Sequence, residues 1–376
     1  MEQQELRALY AETVPYLLQW YDYNRRILPW REEPTPYHVW VSEIMLQQTR
    51  VEAVKGYYDR FLTRLPDIAA LAAAEDEELL KLWEGLGYYN RVRNMQKAAH
   101  VIVEQHGGEM PADYEKLRAL PGIGDYTAGA ISSIAFGLPY PAVDGNVLRV
   151  MSRIACSEED IAKEQTKKKL KEDLTTILPE RVGDYNQSLM ELGAVVCLPN
   201  GKPLCGQCPV VHLCRAFQAG REMQLPVKAA KKERRIEKRI VYLLSCDGRF
   251  LLHRRKPEGL LAGMWEFPNV LELEGISEGK VPEGTLAVTK RKKAKHIFSH
   301  VEWHMEGLWM EAEQSDGGVP ERLIAMMCRL TGEKEPAAEE DGWIFASPEE
   351  IKEKYPMPSA FEAYCKEVYN ENRNRL

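Results

Sequence analysis

Asp144 stands in a Pro/Gly-rich stretch, Pro139-Tyr-Pro-Ala-Val-Asp-Gly-Asn146, just before the helically spaced apolar residues Val147, Val150, Met151 and Ile154. A lone carboxylate at the end of a rigid loop can stabilise a developing cation or cap the helix that follows it. The segment Leu120-Pro-Gly-Ile-Gly124 ends twenty residues earlier. Pro121 stops a helix there, and Gly122 and Gly124 permit backbone angles and close approaches that other residues resist. The next helix begins with free N–H groups, which can meet a phosphate without any basic side chain. The same residues also suit an ordinary helix-turn-helix corner. A second cluster is Cys197, Cys205, Cys208 and Cys214, separated by seven, two and five residues. Four thiolates so close suit a zinc ion or an iron–sulfur cluster better than disulfides. Cys156, Cys246, Cys328 and Cys365 are scattered and read as buried thiols.

These residues must be positioned by more than one core, since 376 residues exceed an ordinary single domain. To about Phe217 the pattern is helical: Val51, Val54, Tyr58 and Phe61 share one face, as do Leu79, Leu82 and Trp83. Residues 221–237 hold Pro226 and dense charge and read as a linker. Beyond it, Ile240–Leu244 and Phe250–Leu252 flank Asp247-Gly248, a hairpin signal. Short strand-like runs follow at Ile297-Phe298, Val301–Met305 and Leu308–Met310, and Ser347 and Ser359 look like helix starts. The expected organisation is an all-α region over 1–220, a linker over 221–237 and an α+β domain over 238–376. The net charge of −7 excludes a globally basic nucleic-acid binder, so any DNA contact must use local patches and backbone amides. Lys228–Arg239 holds seven basic residues against two acidic ones, and Lys290–Lys295 five in six. Lys167-Lys-Lys169 reads as solvated surface. The charged start, Met1 to Arg7, lacks a secretory apolar core, and no apolar run reaches the ~18 residues of a membrane span. A cytoplasmic location is expected.

The Gly/Pro hairpin followed by Asp144 resembles the helix-hairpin-helix signature of DNA glycosylases related to endonuclease III. Tyr37-His-Val-Trp-Val-Ser-Glu-Ile-Met-Leu-Gln-Gln-Thr-Arg50, Leu82-Trp-Glu-Gly-Leu-Gly-Tyr-Tyr-Asn-Arg91, Leu28-Pro-Trp-Arg31 and Val143-Asp-Gly-Asn-Val147 resemble the adenine DNA glycosylases of the MutY type. The likeness covers nearly the whole chain. It implies a helix-hairpin-helix glycosylase region with an iron–sulfur loop, followed by a Nudix-like α+β domain. It also implies a monomer that acts near the nucleoid on double-stranded DNA, removing adenine mispaired with 8-oxoguanine or guanine.

The resemblance assigns roles residue by residue. Glu43, in an apolar helical segment, would protonate adenine at N7 and later assist water, and Asp144 would stabilise the oxocarbenium-like sugar. Bifunctional relatives carry a Lys in the slot of Tyr126, and a phenol cannot form a Schiff base, so strand cleavage is not expected. Tyr126 and Asn146 would orient Asp144 and water, while Asn146 equally suits a helix N-cap. Gln48 and Tyr88 match residues that wedge beside the orphaned base, with Thr49 close by. Trp30, Arg31, Leu46 and Gln187 match the adenine pocket. Plain core packing competes for Trp30 and Leu46, and some relatives carry Glu in place of Gln187. Gly122 and Gly124 would meet the DNA backbone. Cys197, Cys205, Cys208 and Cys214 would hold a 4Fe-4S cluster, although their first interval is one residue longer than is usual in that family, which keeps zinc open. Leu260–Pro268 matches the Nudix fold, and Phe298-Ser299-His300 the loop that reads 8-oxoguanine, or else a polar β-turn. Glu272, Glu274 and Glu278 do not reproduce the Nudix carboxylate segment, so pyrophosphate hydrolysis is not expected.

Overall fold

The computed structural model describes residues 3–229, 233–272, 286–312, 319–333 and 342–373. Lys231, Lys232, Glu274 and Glu278 lie outside the described residues. The chain forms two compact units: Met1–Ala74 with Asn90–Lys231, and Glu75–Tyr89 with Lys232–Leu376.

Every regular element among the described residues of the first unit is a helix. The Gly145–Ala155 helix runs through its core and is buried from Val147 to Ala155. It packs Val147, Val150, Met151 and Ile154 against Leu17, Tyr185, Leu189 and Leu192. An apolar stripe of this kind holds a helix far more firmly than propensity does. The hairpin joins the helix Tyr114–Ala119, capped by Asp113, to the helix Asp125–Ala130. Gly122 takes φ +77, and a Cβ there would lie 2.7 Å from Asn94 Cβ, so glycine is required on two counts. Gly124 differs: its φ is −93 and no atom lies near the Cβ it lacks. The segment read as a linker is partly anchored. Arg153 Nε donates to Leu225 O at 2.9 Å, and Ile161 N–H to Val227 O at 3.1 Å. With a strand beginning at Arg235, the stretch between the units narrows to residues 228–234.

The second unit is a mixed sheet of β1 (Arg235–Cys246), β2 (Arg249–Arg254), β3 (Trp265–Glu266), β4 (Asn269–Leu271), β5 (Val288–Ile297), β6 (Val301–Ala312) and β7 (Trp343–Ala346). The order is β3-β2-β1-β6-β5, with β4 on β1 and β7 on β2; β1 and β6 are parallel. The β1–β2 turn uses Asp247 and Gly248 at φ 50 and 74, the left-handed pair a tight hairpin needs. The short runs expected after Ile297 merge into one long strand, β6. The Lys290–Lys295 run is β5, an edge strand whose residues alternate between half-buried and exposed. It is not a bare patch: Lys290 and Lys292 pair with Glu367, and Lys295 with Glu302. Ser347 caps the Pro348–Glu353 helix with a full capping box, and Ser359 opens a short turn before the Glu362–Arg373 helix. Cys246, Cys328 and Cys365 are buried as expected, whereas Cys156 is half-buried in a left-handed cap of the first unit.

Candidate active site

A cleft of about 1940 Å³ opens in the first unit. It gathers Trp30, Arg31, Glu43, Leu46, Gln48, Thr49, Gly122, Gly124, Tyr126, Asp144, Asn146 and Gln187, twelve residues singled out by sequence. At its base, the Pro36–Leu46 helix presents Glu43, which is only 7% exposed. Tyr126, on the second hairpin helix, donates its hydroxyl to Glu43 Oε2. Burial pushes the Glu43 carboxyl up to about 7; the Tyr126 bond opposes that shift and the charge of Asp144 adds to it. Burial also raises the Tyr126 phenol well above its ordinary range, with the Glu43 and Asp144 charges contributing. Asp144 is the N-cap of the Gly145–Ala155 helix and accepts from Val147 N–H at 2.7 Å and Asn146 Nδ2 at 2.8 Å. Burial raises its carboxyl, and these bonds hold the rise in check. Asn146 is therefore not the cap: it donates to the cap and accepts from Arg149 Nη2 at 2.9 Å. The site thus holds a carboxyl that burial holds near neutrality and a second carboxyl fixed by two N–H donors that favour its charged form.

One wall is built around a residue that the sequence reading missed. Glu191 is 1% exposed and accepts from Arg26 Nε at 2.7 Å and Arg31 Nη2 at 2.8 Å. Burial alone would raise its carboxyl, but the two guanidiniums hold it below the ordinary value. Arg31 Nε also donates to Gln187 Oε1 at 3.1 Å, one helical turn from Glu191. That i, i+4 spacing was the available signal, hidden because a Glu on a helix is ordinarily solvated. Trp30 is buried edge-on against Tyr58 and also lines the cleft. Gln48 sits at φ 61 just past the helix end, beside Thr49, in a turn tethered by Arg91 Nη1 to the carbonyls of Ile44 and Gln47. Lys167, Lys168 and Lys171 of the Glu164–Thr175 helix also line the cleft, so part of the run read as solvated surface faces it.

Cys197, Cys205, Cys208 and Cys214 line one small pocket beyond the other end of the Gly145–Ala155 helix. Burial raises the thiols of Cys205, Cys208 and Cys214, Cys208 to about 12, and the charge of Cys197 raises each further. Arg153 Nη1 donates to Cys197 Sγ at 3.2 Å. Among the described residues, no three Cys, His, Asp or Glu side chains are drawn together on a single ion. Four cysteines around one pocket, with a buried guanidinium beside them, form a donor set that fits a multi-iron cluster.

In the second unit, Phe298 N–H donates to Val301 O at 2.8 Å, closing a turn between β5 and β6. Phe298 packs edge-on against Trp303, and Ser299 and His300 are exposed at the tip, 3.3 Å apart. Tyr88 is 52% exposed, at φ 49, and belongs to the second unit.

Residues 41–175 match the HhH-GPD superfamily of base excision DNA repair proteins, and residues 239–367 match the NUDIX domain. The human adenine DNA glycosylase is 37% identical over 372 residues, which cover 81% of this chain and 68% of that protein. This chain belongs to the adenine DNA glycosylase family. This glycosylase is also 36% identical to the adenine DNA glycosylase of Schizosaccharomyces pombe, over 76% of this chain and 78% of that protein. For that of Buchnera aphidicola subsp. Acyrthosiphon pisum the identity is 35%, over 77% and 83%. Among solved structures, a thermostable thymine-DNA glycosylase aligns with a TM-score of 0.51 at 28% identity, over 57% of this chain and 98% of that one. The family drawn from the motifs is the family found. The protein is a DNA glycosylase of base excision repair, with a helix-hairpin-helix region and a Nudix-like C-terminal domain. No described helix is long and apolar enough to cross a membrane.

Proposed function

We propose that this glycosylase hydrolyses the N-glycosidic bond of adenine opposite 8-oxoguanine or guanine and leaves the strand intact. The observation that carries this is the buried Glu43–Tyr126 pair in one cleft with Asp144. Adenine leaves poorly unless protonated, and N7 is the basic atom exposed on its edge. Glu43 holds its proton to about pH 7 and gives it to N7. The C1′–N9 bond breaks, its electron pair goes to the base, and Asp144 faces the oxocarbenium-like sugar as a carboxylate. The bonds from Val147 and Asn146 keep Asp144 aimed and favour its ionised form against the cost of burial. Glu43, now a carboxylate, takes a proton from the water that attacks C1′. Tyr126 occupies the position where an amine would open a Schiff-base route, and its phenol offers none.

The base reaches this site only when flipped out of the duplex, at a cost of a few kcal/mol. Gln48 and Tyr88 fill the gap beside the orphaned base, with Thr49 next to it. Trp30, Leu46, Arg31 and Gln187 form the pocket, and the Arg26–Glu191–Arg31 network supports Arg31. Gly122 and Gly124 bring backbone amides close to phosphate; the open space at Gly124 supports that approach. Ser299 and His300 read the N7–H and 8-oxo groups that distinguish 8-oxoguanine from guanine. Cys197, Cys205, Cys208 and Cys214 hold a 4Fe-4S cluster, which when bound ties this loop into one piece. The test is a labelled A:8-oxoguanine duplex incubated with the protein and resolved on a denaturing gel with and without alkali. Product only after alkali is expected. Cleavage without alkali, or no abasic product at all, overturns the reading.

A further inference from the structure

The Glu75–Tyr89 segment joins the second unit although Asn90–Lys231 separates it from the rest of that unit in sequence. Its Asp76–Leu82 helix and the turn after it are tied to the C-terminal part by named bonds. Lys81 Nζ donates to Tyr355 O at 3.1 Å and to Ile351 O at 3.4 Å, and pairs with Glu84 Oε2 at 2.6 Å. Glu84 Oε1 accepts from Met357 N–H at 3.0 Å. Trp265 Nε1 donates to Glu77 Oε1 at 3.3 Å. Beyond Glu84 the chain makes a tight loop: Gly85, Gly87 and Tyr88 have φ of 98, 69 and 49. A tyrosine in the left-handed region persists only where its surroundings hold it. Fully buried Trp83 helps, donating Nε1 to Gly87 O at 3.1 Å.

We propose that Lys81 and Glu84 are positioning residues for Tyr88, so that the unit carrying Phe298-Ser299-His300 also sets the wedge. The inference rests on the reading of Tyr88 as a group inserted beside the orphaned base. Recognition of the lesion and insertion of the wedge then share one body, held by two charged side chains on the 351–357 backbone. No new chemistry is required. A tyrosine held ready for insertion binds more tightly than one that must be ordered on binding.

The test uses the full-length protein, an A:8-oxoguanine duplex, and the variants Lys81→Ala, Glu84→Ala, Glu84→Gln and Tyr88→Ala, alone and combined. Duplex affinity and hydrogen exchange of the Gly85–Tyr89 amides are measured. Lys81→Ala and Glu84→Ala are expected to weaken binding about fivefold, and to do so only where Tyr88 is present. Exchange at Gly85–Tyr89 rises in both. Glu84→Gln, whose amide oxygen still accepts from Met357 N–H, keeps most of the affinity. Losses that add fully to that of Tyr88→Ala, or unchanged exchange, overturn the proposal. If Tyr88→Ala itself leaves affinity untouched, the wedge reading fails and this inference with it. If Tyr88→Ala weakens binding but the anchor variants do not, only the inference fails.

Discussion

Glu43 illustrates how one buried residue couples activity to stability. Its carboxyl titrates at about 7, above the ordinary 4.5, chiefly because burial penalises the charged form. As the proton donor it is competent below that value. The single-turnover rate is therefore expected to fall about tenfold per unit above pH 7, and to fall again at acidic pH once Asp144, whose carboxyl burial raises, takes up a proton. Glu43→Gln removes the proton and should lower excision by at least ~10²-fold near and below pH 7, a gap that narrows at alkaline pH as the parent loses the same proton. The linkage also has a definite sign. A folded-state value above the unfolded one gives stability that is complete below about 4.5 and is lost as pH rises through about 7. Glu43→Gln should then be more stable than the parent at pH 8, by roughly 2–3 kcal/mol, and nearly equal to it at pH 4.5. Urea denaturation at the two pH values decides this; a variant less stable at pH 8 refutes the desolvation account. Asp144 separates the same two properties differently. Asparagine caps a helix about as well as aspartate does, so Asp144→Asn should leave stability within about 1 kcal/mol. It should abolish adenine release while duplex binding survives, and near-normal excision would remove Asp144 from the mechanism.

At the scale of elements, the hairpin glycines divide by environment. Gly122 has φ +77 and a neighbouring Cβ at 2.7 Å, so Gly122→Ala should cost about 1–3 kcal/mol of folding stability. Gly124 has ordinary φ and open space, so Gly124→Ala should leave thermal stability almost unchanged and weaken duplex binding. Melting curves paired with binding isotherms distinguish the two; normal affinity for Gly124→Ala would mean that no phosphate approaches there. The cysteine loop makes its own prediction. Purified protein should be brown, with broad absorption near ~400 nm and about four irons per chain, and Cys208→Ser should lose both. Colourless, zinc-loaded and active protein would support the zinc alternative instead.

For the whole molecule, the division into units changes what truncation means. Sequence alone suggests that cutting near Lys228 keeps excision from A:G and loses the preference for A:8-oxoguanine. The structure adds that such a cut removes Trp265, Ile351, Tyr355 and Met357, the partners of Glu77, Lys81 and Glu84. The truncated chain should therefore also lose stability, with exchange rising first over Glu75–Tyr89. Substitution in the intact protein is the cleaner measurement. Ser299→Ala with His300→Ala should lower the ratio of single-turnover rates and affinities, A:8-oxoguanine over A:G, by roughly 1–3 kcal/mol. An equal fall on both duplexes would leave the second unit as a clamp and not a reader.

The sequence by itself determined what is local. The Pro/Gly hairpin, the capping Asp144, the Asp247-Gly248 turn, the Ser347 capping box and the helix-to-sheet change are all decided by neighbouring residues, so spacing and residue type were enough. The motifs around Glu43, Asp144 and the four cysteines carried the family for the same reason. The tertiary structure decided what depends on chain closure. Glu43 and Tyr126 are 83 positions apart, and only packing buries the one and bonds it to the other. Glu191 is legible as a buried charge only once Arg26 and Arg31 surround it. Lys167, Lys168 and Lys171 border the cleft because Leu170 and Leu174 dock the helix that carries them, and the Lys290–Lys295 run is an edge strand because its backbone pairs with β6. Periodicity states which side of an element is apolar; it does not state which element covers it. Desolvation, and with it the proton on Glu43, is a property of that covering.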